Sequence, residues 1–379
     1  MYGGRQFITV VNKLKILVFL IMDMNDMNEE YFKGRGAQVN PNNKFLERSY
    51  VQEYIEGLDE PFLISETTKV IATYPKSILS KVDSPDLGFY QSLNPYQGCE
   101  HGCIYCYARN SHEYWGYSAG LDFERKILVK YNAVELLEKA FENKSYKPET
   151  VLLSGNTDCY QPIEKKLQIT RKLLLTFLDY RHPVSIISKN VLMLRDLDIL
   201  ASLAELGLVR VSVTINSLRE EVRRKMEPRT ATASTRLQLI EKLAQHNIPV
   251  SLMIAPIVPG INSDEMPELI RRASEAGAKG AYYTIVRLNG AIAGIFRDWV
   301  YKNYPDRADK IIHGIEDCHG GSLNDSQWGR RIRGDGEIAT GIQQLFEVAR
   351  KKYMGESLHT FLRTDLFERP NRSPQLRMF

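Results

Sequence analysis

From residue 89 onwards, short apolar runs alternate with longer amphipathic ones. Residues 89–93, 150–154, 184–188, 209–215, 250–255 and 281–286 are brief, apolar or β-branched, and flanked by polar or turn-forming residues, which predicts strands. Between them lie "NAVELLEKAFEN", "EKKLQITRKLLLTFLDY", "VLMLRDLDILASLAELG", "ASTRLQLIEKLAQHN" and "SDEMPELIRRASEAG". Their apolar residues recur every three or four positions, the period of a helix with one buried face. The last has Ser263 placed as an N-cap, acidic residues in its first turn and Gly277 beyond its end. Strands separated by helices imply parallel βα units, because a helical crossover returns the chain to the same end of the sheet. Six such units suit a partial (β/α)6 barrel or an open doubly wound α/β sheet, and the hydrophobic period is the same in both.

Outside this alternation the pattern breaks down. Residues 33–88 contain the turn formers of "KGRGAQVNPNN", "YPKS" and "DSPD" and read as an irregular leader packed on the core of residues 89–287. Residues 1–32 include the apolar run "ILVFLIM" at 16–22, too short to cross a bilayer and followed by no small-residue cleavage site. They read as an N-terminal extension or as a mis-assigned start, with Met22, Met24 and Met27 as other initiators. Residues 288–368 are expected to form a mostly helical extension carrying Trp299, Trp328 and the glycine-rich "HGGSLNDSQWGRRIRGDGE", and residues 369–379 a basic tail.

Composition is that of a globular chain, with 43% hydrophobic and 25% charged residues among 379. The net charge of +4 matters only through its placement: residues 329–379 carry ten Lys or Arg against six Asp or Glu, so the remainder is neutral. Five cysteines, three of them clustered, do not form the even framework of a disulfide-stapled secreted domain, which points to a reducing cytosol.

Cys99, Cys103 and Cys106 lie in "NPYQGCEHGCIYCYARN". Thiolates bind soft or borderline metals, so the cluster is first a metal hypothesis. With His101 the three could form a compact zinc knot. Alternatively they could hold three irons of a cubane [4Fe–4S] cluster and leave the fourth iron open, a defect in an electron carrier but an opening for a substrate or cosubstrate.

The arrangement Cys99, Cys103, Tyr105, Cys106 resembles the cysteine motif of the radical S-adenosylmethionine (SAM) superfamily, position by position, on a loop after the first predicted strand. The resemblance implies a partial barrel, a [4Fe–4S] cluster whose open iron is chelated by SAM, and an external electron donor. It also implies reductive cleavage of SAM to methionine and a 5′-deoxyadenosyl radical that takes hydrogen from a substrate. Cofactor and substrate would then sit at the C-terminal ends of the strands. Strand two ends in "SGNTDCY", where Thr157 or Asp158 could accept from the SAM ammonium, or could serve as a helix N-cap. Lys189, after strand three, is placed to meet the SAM carboxylate. Ser212, Thr214 and Asn216 alternate to one side of strand four. Glu227 and Arg229 of "MEPRTA" are candidates for ribose and carboxylate contacts or form a surface ion pair, and "APIVPGIN" would approach adenine.

From about residue 33 to the C-terminus, "NTDCYQPIE", "MEPRTA", "APIVPGIN", "VRLNGAIAGIFRDWV" and "GRRIRGDGE" narrow the resemblance to the spore photoproduct lyase-like branch, often labelled DNA repair photolyase-like, and to its uncharacterised bacterial subgroup. The spore enzyme has a hydrogen-donor cysteine before a Thr-Ser-Asp; the register puts Gly155 there, with Cys159 four residues later as a candidate donor or a buried structural thiol.

A nucleic-acid substrate would draw on Arg330, Arg331, Arg333, Lys351, Lys352, Arg363, Arg369, Arg372 and Arg377 for phosphates, and on Tyr107, Tyr114, Trp115 and Tyr117 for bases. The ending "SPQLRMF" resembles the peptide by which bacterial repair and replication proteins dock on the β sliding clamp, with Gln375 hydrogen-bonding and Leu376, Met378 and Phe379 filling an apolar groove. The leading expectation is a cytoplasmic radical SAM enzyme, lyase-like or modifying, that acts on DNA without membrane association. The alternatives are radical SAM modification of tRNA, protein or a small molecule, and a non-catalytic iron–sulfur or zinc protein.

Overall fold

A computed structural model describes residues 32, 34–45, 67–86, 88–355 and 361–370. Contacts divide the chain after residue 33, and everything below concerns the unit that begins at Gly34.

Six strands run parallel: β1 (Gln91–Leu93), β2 (Val151–Leu153), β3 (Val184–Ser188), β4 (Val209–Thr214), β5 (Val250–Ile257) and β6 (Ala281–Ile285). They lie side by side in sequence order, each paired with its predecessor. A doubly wound sheet would reverse direction partway through the order; this one does not, so the partial barrel is the fold. Helices α1 (Ala133–Glu142), α2 (Ile169–Asp179), α3 (Leu197–Glu205), α4 (Ala233–Gln245) and α5 (Met266–Glu275) connect successive strands. After β6 follow α6 (Ile292–Asn303), α7 (Ala308–Asp317) and α8 (Gly336–Met354), with α8 against α5.

The strands divide their side chains by face. On β4, Val209, Val211 and Val213 are buried in the core shared with the helices, whereas Arg210 and Ser212 are half-buried on the concave side. Ser251 and Met253 of β5 and Tyr282 and Thr284 of β6 repeat the alternation. The concave face is therefore polar and partly open, where a filled barrel would be apolar throughout.

Three features differ from the reading of the pattern. The leader is not irregular throughout: Lys69–Thr73 pairs parallel with Lys126–Lys130, and Leu79–Lys81 pairs antiparallel with β1. Such short strands carry too few alternations to stand out. Gln168, in the left-handed region at φ 53°, breaks "EKKLQITRKLLLTFLDY" into two helices. Ser263 opens a short 3-10 turn before α5 and makes no capping bond. Gly277 does follow the end of α5, at φ +100°.

Candidate active site

The cysteine loop begins where β1 ends. Cys99 and Cys103 are buried, Cys106 is half-buried, and all three are free thiols. The loop is fixed mainly through its backbone: Cys99 N donates to Phe123 O (2.9 Å), Ile104 N to Met226 O (3.0 Å) and Arg229 N to His101 O (3.3 Å). Gln161 holds it from the β2 side, accepting from Glu100 N (3.0 Å) and donating to Gly98 O (3.1 Å). Inside the turn, Arg109 donates to Cys103 O (3.0 Å), Ala119 O and Gly120 O and pairs with Glu124 at 2.5 Å. Both partners are fully buried. Removing either would strand a buried charge, a loss of about 3–5 kcal/mol.

Glu124 reaches further, accepting from Gly36 N (3.1 Å) and Ala37 N (2.8 Å). Residues 34–43 are thereby strapped across the loop. Gly36 has no alternative there: a Cβ would lie 1.8 Å from Gly102 O.

The strand ends close the site from the other side. The Glu227 carboxylate is fully buried; it accepts from Tyr105 Oη and from Arg236 Nη2 (2.8 Å). Burial opposes its charge, but Arg236 and Lys189 outweigh that and hold its pKa below the usual carboxylate range. Asp158 accepts from Ser188 Oγ (2.8 Å), Lys189 N (2.9 Å) and Tyr160 N (2.9 Å), and lies 3.4 Å from His101 Nδ1. Thr157 Oγ1 donates to Tyr96 O (2.6 Å). Both side chains are thus engaged in holding the β2 loop to its neighbours. Lys189 is half-buried, and its ammonium has no ion-pair partner among the described residues. Burial opposes its charge, but Cys103, Glu227, Asp158 and Cys106 together raise its pKa.

Asn216, just beyond β4, is 1% exposed, and neither its amide nitrogen nor its amide oxygen has a partner among the described residues. Buried polar groups are nearly always paired, so an amide with both ends unmet suits a ligand with donors and acceptors. Its backbone carbonyl is held by Asn262 Nδ2 at 2.6 Å, which ties the β5 loop to β4. Ser212 is half-buried on the concave face, and Arg229 is exposed at the rim.

Cys159 is placed differently. It is 0% exposed and lies in the main apolar core, its carbonyl bound by Thr170 Oγ1 at 2.6 Å. Gly155, at the position matching the spore enzyme's donor, has Leu152 and Ser92 side-chain carbons 3.1 Å from where a Cβ would stand.

His101 is committed to Asp158 and, through Nε2, lies 3.3 Å from Asn190. Among the described residues no three His, Cys, Asp or Glu converge on one ion. The donor set is three soft sulfurs on one loop, which suits a multi-iron cluster better than a four-ligand zinc knot. Burial pushes all three thiols up, Cys103 to about 12, so binding iron must displace protons.

A family model, described as the radical SAM superfamily, matches residues 93–273. An uncharacterised protein of Mycobacterium tuberculosis is 32% identical over 234 residues, covering 61% of this chain and 69% of the relative. The chain belongs to the radical SAM superfamily. It is an enzyme, and the cofactors are a [4Fe–4S] cluster and S-adenosylmethionine, so the non-catalytic reading falls away. An uncharacterised protein of Methanocaldococcus jannaschii is 28% identical over 219 residues, covering 58% of this chain and 78% of that protein. Among solved structures, spore photoproduct lyase complexed with dinucleoside spore photoproduct aligns at TM-score 0.54 and 16% identity, covering 76% of this chain and 80% of that one. At that identity the likeness establishes the fold.

For this radical SAM enzyme the residues fit the cofactors. Cys99, Cys103 and Cys106 would hold the cluster, Lys189 offers an unpaired cation, and Asn216 offers an unmet amide. Arg109, Glu124, Gly36, Arg236 and Asn262 went unread in the sequence, because nothing in their local spacing distinguishes them. Gly36 meets Glu124 across 88 residues and Asn262 meets Asn216 across 46, while Arg109 and Arg236 hold Glu124 and Glu227 across 15 and 9.

Proposed function

We propose that this radical SAM enzyme acts on nucleic acid, with a base stacked beside the cysteine loop. The carrying observation is the exposed aromatic surface next to that loop. Tyr107 immediately follows Cys106 and is 55% exposed; Tyr114 is 75% exposed and packs on Phe45 at 4.8 Å, with Lys44 over the Phe45 ring at 5.0 Å. Exposed rings beside a cation form a stacking platform, and every base has a face to offer it. The solved enzyme that shares the fold is recorded in complex with a dinucleoside lesion, which agrees with this reading.

Together the cluster and SAM supply one-electron cleavage of SAM and a radical able to take hydrogen from a substrate. The chain's own residues hold the cysteine loop through Arg109–Glu124 and Tyr105–Glu227, and the Lys189 cation and the Asn216 amide, both just beyond strand ends, would hold the cofactor. Repair of the spore lesion itself is not part of the proposal, since Gly155 replaces the donor and Cys159 is in the core. The proposed DNA contact also does not rest on all the tail arginines: Arg330 pairs with Asp325, Arg331 with Asp86 and Arg363 with Asp365. Arg372 and Arg377 lie outside the described residues, as do Gln375, Leu376, Met378 and Phe379. We propose the last four as a docking peptide for the β sliding clamp.

The test is 5′-deoxyadenosine formation by anaerobically reconstituted protein with SAM and dithionite, with and without UV-irradiated DNA, against Cys106→Ala. Cysteine-dependent product that rises with damaged DNA is expected. Turnover indifferent to DNA would move the substrate to tRNA, protein or a small molecule.

A further inference from the structure

The barrel is incomplete, and the gap between its edges is bridged by residues far apart in sequence. On the β1 side, the turn joining Leu79–Lys81 to β1 presents Ser84 and Asp86. On the β6 side, the glycine-rich segment lies along the strand, with Ile285 N donating to Ile332 O at 2.9 Å. The two meet: Asp86 accepts from Gly329 N (2.7 Å) and Arg331 Nε (2.7 Å), and Arg331 also donates to Ser84. The Arg331 guanidinium lies 3.9 Å over the Trp328 ring.

Arg287 stands beside this bridge, two residues beyond β6. It is half-buried, and its one hydrogen bond among the described residues is a 3.3 Å contact from Nη1 to the Asp325 carbonyl. Arg330 and Arg331 take up the neighbouring carboxylates of Asp325 and Asp86, leaving Arg287 without an ion pair among the described residues. Burial and the adjacent charge of Arg331 both lower its pKa, and Asp325, Asp86 and Tyr107 offset them only in part. A guanidinium stays charged regardless. A partly desolvated arginine with no counter-ion is costly in the ligand-free protein, and an anion would relieve that cost.

The surroundings indicate which anion. Tyr107, on the cysteine loop, lies within electrostatic reach of Arg287, and its ring is fixed by a hydrogen bond from its hydroxyl to Gly155 O. Asn110 locks the two loops together, donating to Asn289 O (2.8 Å) and accepting from Ala291 N (3.2 Å). The side-chain oxygen of Asn289 is buried and has no partner among the described residues. A fork of N–H donors, a ring face and an unmet acceptor therefore occur together between the gap and the cysteines.

We propose that Arg287 binds an anionic group of the substrate, a phosphate under the nucleic-acid reading above on which this inference rests, with Tyr107 stacking the attached base. The planar fork pairs two phosphate oxygens at once, which fixes the nucleotide's orientation as well as its position. The unmet Asn289 oxygen would accept an N–H of the base.

The experiment is fluorescence anisotropy of labelled single-stranded oligonucleotides, plain and UV-irradiated, on the cluster-loaded, SAM-bound full chain over a range of salt. Arg287→Gln is expected to weaken binding about tenfold and to reduce the slope of log K against log salt by about 0.7. Lys279→Gln removes the same charge from an exposed position before β6, at the strand end away from the site, and should change neither. Arg287→Lys should keep the slope and lose part of the affinity, because an ammonium cannot fork. Equal affinity and slope in wild type and Arg287→Gln would overturn the proposal and leave the nucleic-acid reading standing. No binding of either oligonucleotide by wild type at low salt would remove both. Should Arg287→Gln lose iron or melt early, Arg287→Lys carries the test: unchanged affinity in that variant overturns the forked contact.

Discussion

Asn216 and Glu227 both follow β4 and are both buried, yet every polar atom of the Glu227 carboxylate is met and neither end of the Asn216 amide is. From that difference we propose different work for them: Glu227 positions Tyr105 and hence the cysteine loop, and Asn216 takes a ligand. The consequence is measurable in the sign of two effects. Asn216→Leu removes an unmet amide, whose burial costs about 1–3 kcal/mol, so stability without SAM should hold or rise. SAM affinity, read by anaerobic calorimetry, should fall about tenfold, or about 1.4 kcal/mol. A destabilised variant with unchanged SAM affinity would make the residue structural. At this scale the sequence was legible where chemistry is local. Three cysteines within eight positions need no fold to be read as a cluster motif, and the positions of Lys189 and Asn216 just beyond β3 and β4 followed from the strand pattern. The partners of Glu227 were not legible, since Tyr105 is 122 residues away.

Among the larger elements, the strap of residues 34–43 contributes most that the hydrophobic pattern did not indicate. It has no helical or strand period, and it is held by contacts distant in sequence: backbone N–H groups of Gly36 and Ala37 on Glu124, Arg35 on Glu124 O, and Asn43 on Glu113 O and Tyr117 O. At Gly36 it admits no side chain at all. Gly36→Ala would force the strap off Gly102 or push the cysteine loop aside, and iron bound per chain after reconstitution should drop by roughly half or more, in line with the severe cost of overpacking. Gly88→Ala meets nothing within 4 Å and should keep its iron. Full iron in both variants would show that the strap does not hold the loop. The strands, by contrast, were legible within a residue or two at most ends, because each buries one apolar face against the helices.

In the whole molecule, the two ends of the sheet face different tasks. The cysteine loop, Lys189, Asn216 and Arg287 all follow the C-terminal ends of strands. Residues 361–370 bind the turns that precede them: Arg363 N donates to Gly207 O (3.1 Å), Glu368 N to Tyr180 O (3.1 Å) and Arg369 to Phe141 O and Asn143 O. The chain therefore leaves residue 370 on the side away from the site, where a docked C-terminus would not obstruct substrate. Deleting residues 371–379 should leave SAM cleavage with an oligonucleotide unchanged and abolish binding to the β clamp; a synthetic "RSPQLRMF" that fails to bind the clamp at millimolar concentration would remove the docking role. Among the described residues no helix is long and apolar enough to cross a membrane. The sequence alone determined the βα alternation, the cluster motif and the family, because each is written in residues close together along the chain. Only the tertiary structure decided between barrel and open sheet, left the Asn216 amide unmet and Arg287 without an ion pair among the described residues, and set Asp86 against Arg331 across 245 residues. Those outcomes depend on which distant segments share space, and a contact of that kind leaves no period or spacing in the sequence.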